Sequence, residues 1–302
     1  MAERPLPLRV WWVLRDYAKR VWDNAGEDNI FFLTGGISFN ILLAAVPFML
    51  LLLSGLGYLL DEDTAAASRS VYQFIDNLLP PHDESPSSPI HGLLDTIVEA
   101  RGQVGLIGLL GFVWFSTRLF GSLRSVLADV FDIEETRGIV GGKLFDVQIT
   151  VVSTLLFAVY SVLNAYIGIA TVRSAQTLQQ TGLEAEIISG LTKSIGRAVA
   201  FFFLTLMFFA LYKFLPSRRI RWQSAAIGAL FMGIFFELFK IIFTFYLSSF
   251  SPGSLYTGTL YTVIIVVLWV YYSSFFFIMG GEVGRVYELR RVRRLQRETF
   301  GD

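Results

Sequence analysis

Long runs without ionisable side chains constrain this chain more than any other feature. No acidic or basic residue occurs from Asn29 to Leu60, from Val147 to Val172, or from Ile241 to Gly281. A helix needs only about 20 apolar residues to cross the hydrocarbon core of a bilayer, so each run is long enough to do so. Hydrophobic residues make up 54% of the 302 positions and charged residues 17%, which excludes a disordered chain and disfavours an ordinary soluble protein. The sequence therefore predicts a membrane protein.

The number of spans follows from dividing the longest run and extending two shorter apolar stretches. Pro252 and Gly253 divide the third run into two helices, because both residue types end helices. Two further stretches reach spanning length when they are extended through flanking charges, to Val104–Val130 and Leu191–Phe214. The sequence thus predicts an all-α, polytopic fold with six transmembrane helices within residues 30–287.

Basic residues predict the orientation. The N-terminal segment 1–29, the turns before the third and fifth helices, and the tail 288–302 are rich in Lys and Arg, whereas the loops on the other side carry few. Because positively charged short segments resist translocation, both termini are predicted to be cytoplasmic. The net charge is zero, so no overall positive field would hold nucleic acid. We interpret the basic tail as an orientation and lipid signal in preference to an RNA contact.

Two segments outside the spans show helical amphipathicity. Over residues 8–23 an apolar, Trp-rich face opposes a basic face. Such a helix lies in the headgroup region of the membrane or packs on the protein's own cytoplasmic turns, and both interpretations are open. The first external loop, 61–103, repeats apolar residues at helical spacing, which predicts two amphipathic helices. These would cap an external opening or cover the ends of the spans.

Arg118 is the most informative polar residue inside a predicted span. It lies near the middle of the second helix, where an arginine costs about 2.5 to 3.5 kcal/mol unless it is paired or hydrated. Ser122 and Ser125 follow on the same face by helical periodicity. Glu237 lies at a similar depth in the fifth helix, with Lys240 one turn later. We therefore predict that Arg118 and Glu237 pair across the bundle, either as a structural ion pair or as part of a polar pathway.

Asn40 in the first helix and Asn164 in the third are further candidates for inward-facing substrate contacts. Polar side chains frequently form hydrogen bonds between neighbouring membrane helices, so a structural role is the alternative for both. Small residues also recur at four-residue spacing, at Ala225, Ala229 and Gly233 and from Gly280 to Gly284. That spacing predicts close contacts between helices.

The sequence lacks the motifs of the common enzyme sites. There is no Cys, which removes thiolate zinc sites and Cys nucleophiles. The two histidines, His82 and His91, lie in the external loop outside any metal-ligand pattern. No Walker A sequence, GxSxG elbow or dinucleotide fingerprint is present. We predict neither enzyme activity nor a bound metal or cofactor.

Several motifs, in order along the chain, resemble those of one family. They are Gly35-Gly36-Ile37-Ser38-Phe39-Asn40 with Ala44-Ala45-Val46-Pro47, Trp114-Phe115-Ser116-Thr117-Arg118, Leu215-Pro216, and Leu268-Trp269-Val270-Tyr271 before Gly280-Gly281-Glu282. Over about residues 10–287 the chain resembles the YihY and virulence factor BrkB family of bacterial inner-membrane proteins. The resemblance implies a six-helix inner-membrane protein, a link to transport or flipping of envelope lipids, and an old ribonuclease BN label that is regarded as mistaken. It supplies no catalytic residue.

We expect the protein to move an amphiphilic or anionic substrate, such as a lipid, through a central polar cavity. In this hypothesis Arg118 attracts an anionic headgroup, Glu237 and Lys240 tune or gate it, and the neutral contacts come from Asn40, Asn164, Ser122 and Ser125. The alternative is a non-transporting scaffold that organises envelope-assembly proteins through the external loop. Expected partners are membrane lipids, envelope-assembly proteins and a second copy of the chain, but not nucleic acid.

Overall fold

The protein is all-helical in the part described by the computed structural model, which covers residues 6–59, 105–134, 138, 140–149, 151–152, 185–218, 220–249 and 259–300. The long helices are α1 (Leu6–Glu27), α2 (Ile30–Leu59), α3 (Gly105–Val130), α4 (Ala185–Phe214), α5 (Trp222–Ser249) and α6 (Thr259–Phe300). A shorter helical segment covers residues 140–149. The predicted external helices and most of the predicted third span lie outside the described residues.

The helix boundaries follow the charge-free runs closely. α2 begins and ends within one residue of the first run, α3 begins and ends within one residue of its predicted extent, and α5 ends at Ser249, just before the predicted break at Pro252. α4 begins earlier than predicted, at Ala185. α6 continues through the basic tail to Phe300, because Arg, Leu, Gln and Glu in that stretch all favour helix. The tail 288–302 is therefore largely an extension of the last helix.

Some of these helices are long and apolar enough to cross a membrane. Among the described residues, Trp222–Leu247 and Val263–Gln296 meet that requirement singly. A third candidate is the bent pair Arg15–Glu27 and Ile30–Ala45, whose axes meet at 69°. Asn29 makes this bend with a φ of 50°, a left-handed conformation that Asn tolerates better than most residues.

α6 is the central helix of the bundle. It packs against α5, α2, α1 and α3, while α2 also packs on α3 and α4 packs on α5. Tyr212 of α4 is fully buried, and its hydroxyl donates to the backbone oxygen of Phe277 in α6 at 2.6 Å. Its ring also stacks on that of Phe277 with 5.0 Å between centroids. This contact joins the outer helix α4 to the centre.

Small residues bring α5 and α6 into backbone contact. A Cβ atom at Gly228 would lie 2.5 Å from the carbonyl oxygen of Gly280, and one at Gly284 would lie 2.8 Å from that of Ser224. A Cβ atom at Gly233 would likewise collide with the Thr205 side chain of α4 and press against the ring of Phe201. The prediction of close helix contacts from small-residue spacing is confirmed.

One part of the apolar face of the N-terminal helix α1 packs on α6, and another part is exposed. Val21 is buried against Val283 and Val286 of α6, and the Tyr17 hydroxyl donates to the backbone oxygen of Val283. Burial raises the pKa of Tyr17 to about 12, so the hydroxyl keeps its proton and remains a donor at neutral pH. The indole rings of Trp11 and Trp22 are 54% and 64% exposed. Helix α1 thus packs on the protein and also presents tryptophan outward.

Candidate functional site

A polar cavity of about 430 Å³ lies between α2, α3 and the segment that contains residues 138–146. The described residues that line it are polar, charged or small, and none of them has a large apolar side chain. The residues that line it are Asn40, Arg118, Gly121, Ser122, Arg124, Ser125, Gly138, Gly142, Lys143 and Asp146. We call it the Arg118 cavity.

The face of α3 that was predicted to be polar lines this cavity. Arg118, Ser122 and Ser125 are spaced four and three residues apart, which places their side chains on one side of a helix. Arg118 itself is exposed to the cavity opening. Asn40 of α2 completes this side, and its amide also donates to the backbone oxygen of Gly36 at 2.9 Å. The structure therefore brings together four of the predicted site residues.

A buried ion pair forms the opposite side of the cavity. The Nε atom of Arg124 donates to Oδ1 of Asp146 at 3.2 Å, and Nη2 faces Oδ2 of the same carboxylate at 3.4 Å. The two side chains are only 10% and 1% exposed. Because two nitrogens each face a different oxygen, the pair fixes the orientation of the 140–149 segment relative to α3.

Two glycines make room for this ion pair. A Cβ atom at Gly142 would lie 3.0 Å from Nη2 of Arg124, and one at Gly121 would lie 3.2 Å from Oδ2 of Asp146. The sequence did not predict this pair, because Asp146 stands directly before the charge-free run that begins at Val147. The local signal was the Gly141-Gly142 pair ahead of a lone acid, but nothing in the sequence pointed to Arg124 as its partner.

The charges of the cavity do not cancel. Asp146 neutralises Arg124, whereas Arg118 and Lys143 have no carboxylate partner among the residues that the structure describes. The described lining therefore carries an excess of positive charge beside three neutral polar side chains, those of Asn40, Ser122 and Ser125. Guanidinium and ammonium donors with hydroxyls nearby are a suitable set for a phosphate or carboxylate group.

The predicted pair of Arg118 with Glu237 is wrong. The Oε1 atom of Glu237 lies 2.5 Å from Nζ of Lys240 on its own helix, and neither residue lines the Arg118 cavity. α3 packs on α2 and α6, whereas α5 packs on α4 and α6, so the two helices share α6 as a neighbour and do not pack closely on each other. A similar predicted depth in the membrane does not imply that two helices pack on each other.

The remaining predicted site residues fall elsewhere. The ammonium group of Lys240 also lies over the ring of Phe236, 5.6 Å from its centroid. A role for Glu237 and Lys240 in substrate movement stays a prediction, separate from the Arg118 cavity. Asn164 lies outside the described residues. Within the described ranges, no group of three or more His, Cys, Asp or Glu side chains is placed to hold a metal ion.

Comparison with known proteins identifies the family to which this chain is similar. The profile of the virulence factor BrkB family matches residues 21–299. A UPF0761 membrane protein of Glaesserella parasuis is 24% identical over 75% of this chain and 74% of its own length. Another, of Pseudoalteromonas atlantica, is 24% identical over 93% of this chain and 89% of its own length. The ribonuclease-like protein YfkH of Bacillus subtilis is 22% identical over 84% and 89%, respectively.

No solved structure matches the chain significantly. The family match covers most of the sequence and includes α2 to α6 and the whole lining of the Arg118 cavity. It confirms the resemblance that the motifs indicated. This chain is a membrane protein that belongs to the virulence factor BrkB family.

Proposed function

We propose that this protein moves an anionic amphiphile, such as a lipid with a negatively charged headgroup, across the bacterial inner membrane by way of the Arg118 cavity. One observation carries the proposal. Arg118 lies in the middle of a long apolar helix, is open to a polar cavity and has no carboxylate partner among the described residues. An unpaired cation at that depth is costly unless water or a bound anion solvates it.

The proposal includes a membrane topology. We infer six transmembrane spans with both termini in the cytoplasm and with α1 at the cytoplasmic interface. The basic N-terminal segment, the basic turn between α4 and α5, and the basic end of α6 support this orientation. The tryptophans of α1 face outward, and the guanidinium of Arg15 lies 5.4 Å from the ring centroids of Trp11 and Trp12. Both features suit a helix that lies at the level of the lipid headgroups.

The positions of the cations define a route within the cavity. In this topology α3 runs from the outside at Gly105 to the cytoplasm at Val130, so Arg118 lies roughly 20 Å along it. Lys143 lies beyond the cytoplasmic end of α3. A headgroup that enters from the cytoplasmic leaflet would meet Lys143 first and Arg118 at mid-depth. The acyl chains would stay in the bilayer on the open side of the cavity.

Native mass spectrometry of gently extracted protein tests the site. We expect wild type to retain a defined anionic lipid and Arg118→Gln to lose it, because the substitution removes the cation and keeps a polar side chain of similar reach. Arg221→Gln is the matched control, since Arg221 is an exposed arginine outside the cavity. Absence of any retained anionic lipid, or equal loss in both variants, would overturn the proposal.

A further inference from the structure

Glu282 of α6 is completely buried, with the side chains of Asn24 and Asp28 as polar neighbours. Its exposed fraction is 0%. Neither carboxyl oxygen forms a hydrogen bond within the described part of the chain. The adjacent Gly281 packs on Val130 and Leu127 of α3, so the backbone around Glu282 is tightly enclosed. A buried ionised carboxylate without hydrogen bonds or a counter-ion costs several kcal/mol, whereas the protonated form avoids most of that cost.

Arg285 is the cation that the described part of the chain places close to Glu282, and it is already engaged by other carboxylates. Arg285, one turn later on α6, donates from Nη1 to Oδ2 of Asp28 at 2.7 Å and from Nη2 to Asp132. Asp28 lies in the bend between α1 and α2, and Asp132 follows the end of α3. Arg285 therefore ties these two junctions to the central helix, while Glu282 forms no ion pair with any residue that the structure describes.

The surroundings of Glu282 favour a bound proton further. Asp28 neighbours the Glu282 carboxyl group, and two ionised carboxylates at close range repel each other. The titratable and charged groups on the elements packed against this part of α6 are Tyr17 from α1, Asp28 before α2, Asp129 and Asp132 from the end of α3, Tyr212 from α4 and Arg285 from α6 itself. From α5 the contact is made by Ser224, which carries no charge. Carboxylates outnumber the single cation in this set.

An open acidic cavity supplies access from water. Its volume is about 570 Å³, and it is lined by Glu27, Asp28, Asn29, Ala128, Asp129, Asp132, Ile133 and Glu134. Asp28 lines this cavity on one side and neighbours Glu282 on the other. A cleft with several carboxylates raises the local proton concentration. Asp28 is thus placed to pass a proton between water and Glu282.

We propose that Glu282 is a proton-binding site whose occupancy controls how firmly Arg285 holds the α1–α2 bend to the end of α3. When Glu282 gives its proton to water through Asp28, the new buried negative charge competes for Arg285, three residues away on the same helix. Asp28 and Asp132 then lose their shared cation, and the bend is released from α6. The inference that Glu282 couples proton binding to transport rests on the proposed function. The inference that Glu282 binds a proton does not.

Infrared titration of the purified protein in lipid tests the proton without using any substrate. We expect a carbonyl band of a protonated carboxylic acid at neutral pH in wild type. The band should be lost in Glu282→Gln and kept in Glu288→Gln, a control on the same helix. Glutamine has the shape of a protonated glutamate, so we expect Glu282→Gln to fold. A wild-type spectrum without the band, or a band that persists in Glu282→Gln, would overturn the proposal.

A spin label on the α1–α2 region tests the mechanical consequence. The chain has no Cys, and a Cβ atom at Gly26 would meet nothing within 4 Å, so Gly26→Cys provides a single attachment site. We expect label mobility to increase as pH rises through the titration of the infrared band, and to be independent of pH when Glu282→Gln is added. Identical pH profiles in the two backgrounds would refute the coupling. Failure of lipid binding with these results intact would count against the proposed function alone.

Discussion

The Arg124–Asp146 pair is the residue-level feature on which the shape of the Arg118 cavity depends. It is nearly inaccessible to solvent, and it joins α3 to the 140–149 segment. Its role differs from that of Arg118, because its charge is already balanced within the fold. The pair lines the cavity together with Lys143, Gly121 and Gly142, and in our proposal Arg118 is the cation that attracts a ligand.

Removing one member of this pair should be much more costly than removing an exposed carboxylate. In Asp146→Asn the buried Arg124 loses its counter-ion, so we expect a loss of about 3–5 kcal/mol in stability. The matched control is Asp16→Asn, whose carboxylate pairs at the surface with Arg20 and Arg290 and should contribute little. Thermal unfolding in detergent measures both variants. Comparable, small shifts in Tm would contradict a structural role for the buried pair.

Sequence periodicity could predict part of the cavity but not its opposite side. The common side of Arg118, Ser122 and Ser125 follows from helix geometry alone, and their placement in one cavity agrees with it. Asp146 and Glu282 could not be assigned in this way, because both stand at the ends of charge-free runs, where acidic residues usually meet water. Their burial depends on which helices cover those ends, and that is a property of the tertiary fold.

At the scale of elements, the limits of several helices could be predicted from the sequence, whereas the helices on which each one packs could not. The limits of α2, α3 and α5 follow from local composition, since charge and Pro or Gly mark where a long apolar helix stops. The predicted contact between Arg118 and Glu237 required knowledge of packing order, because their helices both pack on α6 and not closely on each other. Lys240 was also available to Glu237 on its own helix, at three-residue spacing.

The close approach of α5 and α6 gives a prediction at this scale. In Gly228→Ala the added methyl group would collide with the backbone oxygen of Gly280, which cannot move aside as a side chain can. We expect a loss of about 1–3 kcal/mol. Gly35→Ala is the control, because a Cβ atom there meets nothing within 4 Å and alanine favours helix. Unfolding in detergent compares them, and an unchanged Tm for Gly228→Ala would contradict the packing described.

At the scale of the whole molecule, α3 connects two polar regions of opposite charge. The cationic Arg118 cavity follows α3 from residue 118 to residue 125, and the acidic cavity follows its end from residue 128 to residue 134. Arg285 ties the second region to the central helix α6. In our account the first region binds an anionic headgroup and the second binds a proton. Proximity along one helix provides a physical path for coupling the two.

Transport in reconstituted vesicles tests the central claim most directly. The measurement follows fluorescent anionic and zwitterionic lipids as they move between leaflets in vesicles that contain wild type, Arg118→Gln or the control Arg221→Gln. We predict faster movement of the anionic lipid with wild type and with the control, and movement at the protein-free rate with Arg118→Gln. Equal rates for the two lipids, or full activity in Arg118→Gln, would contradict the account.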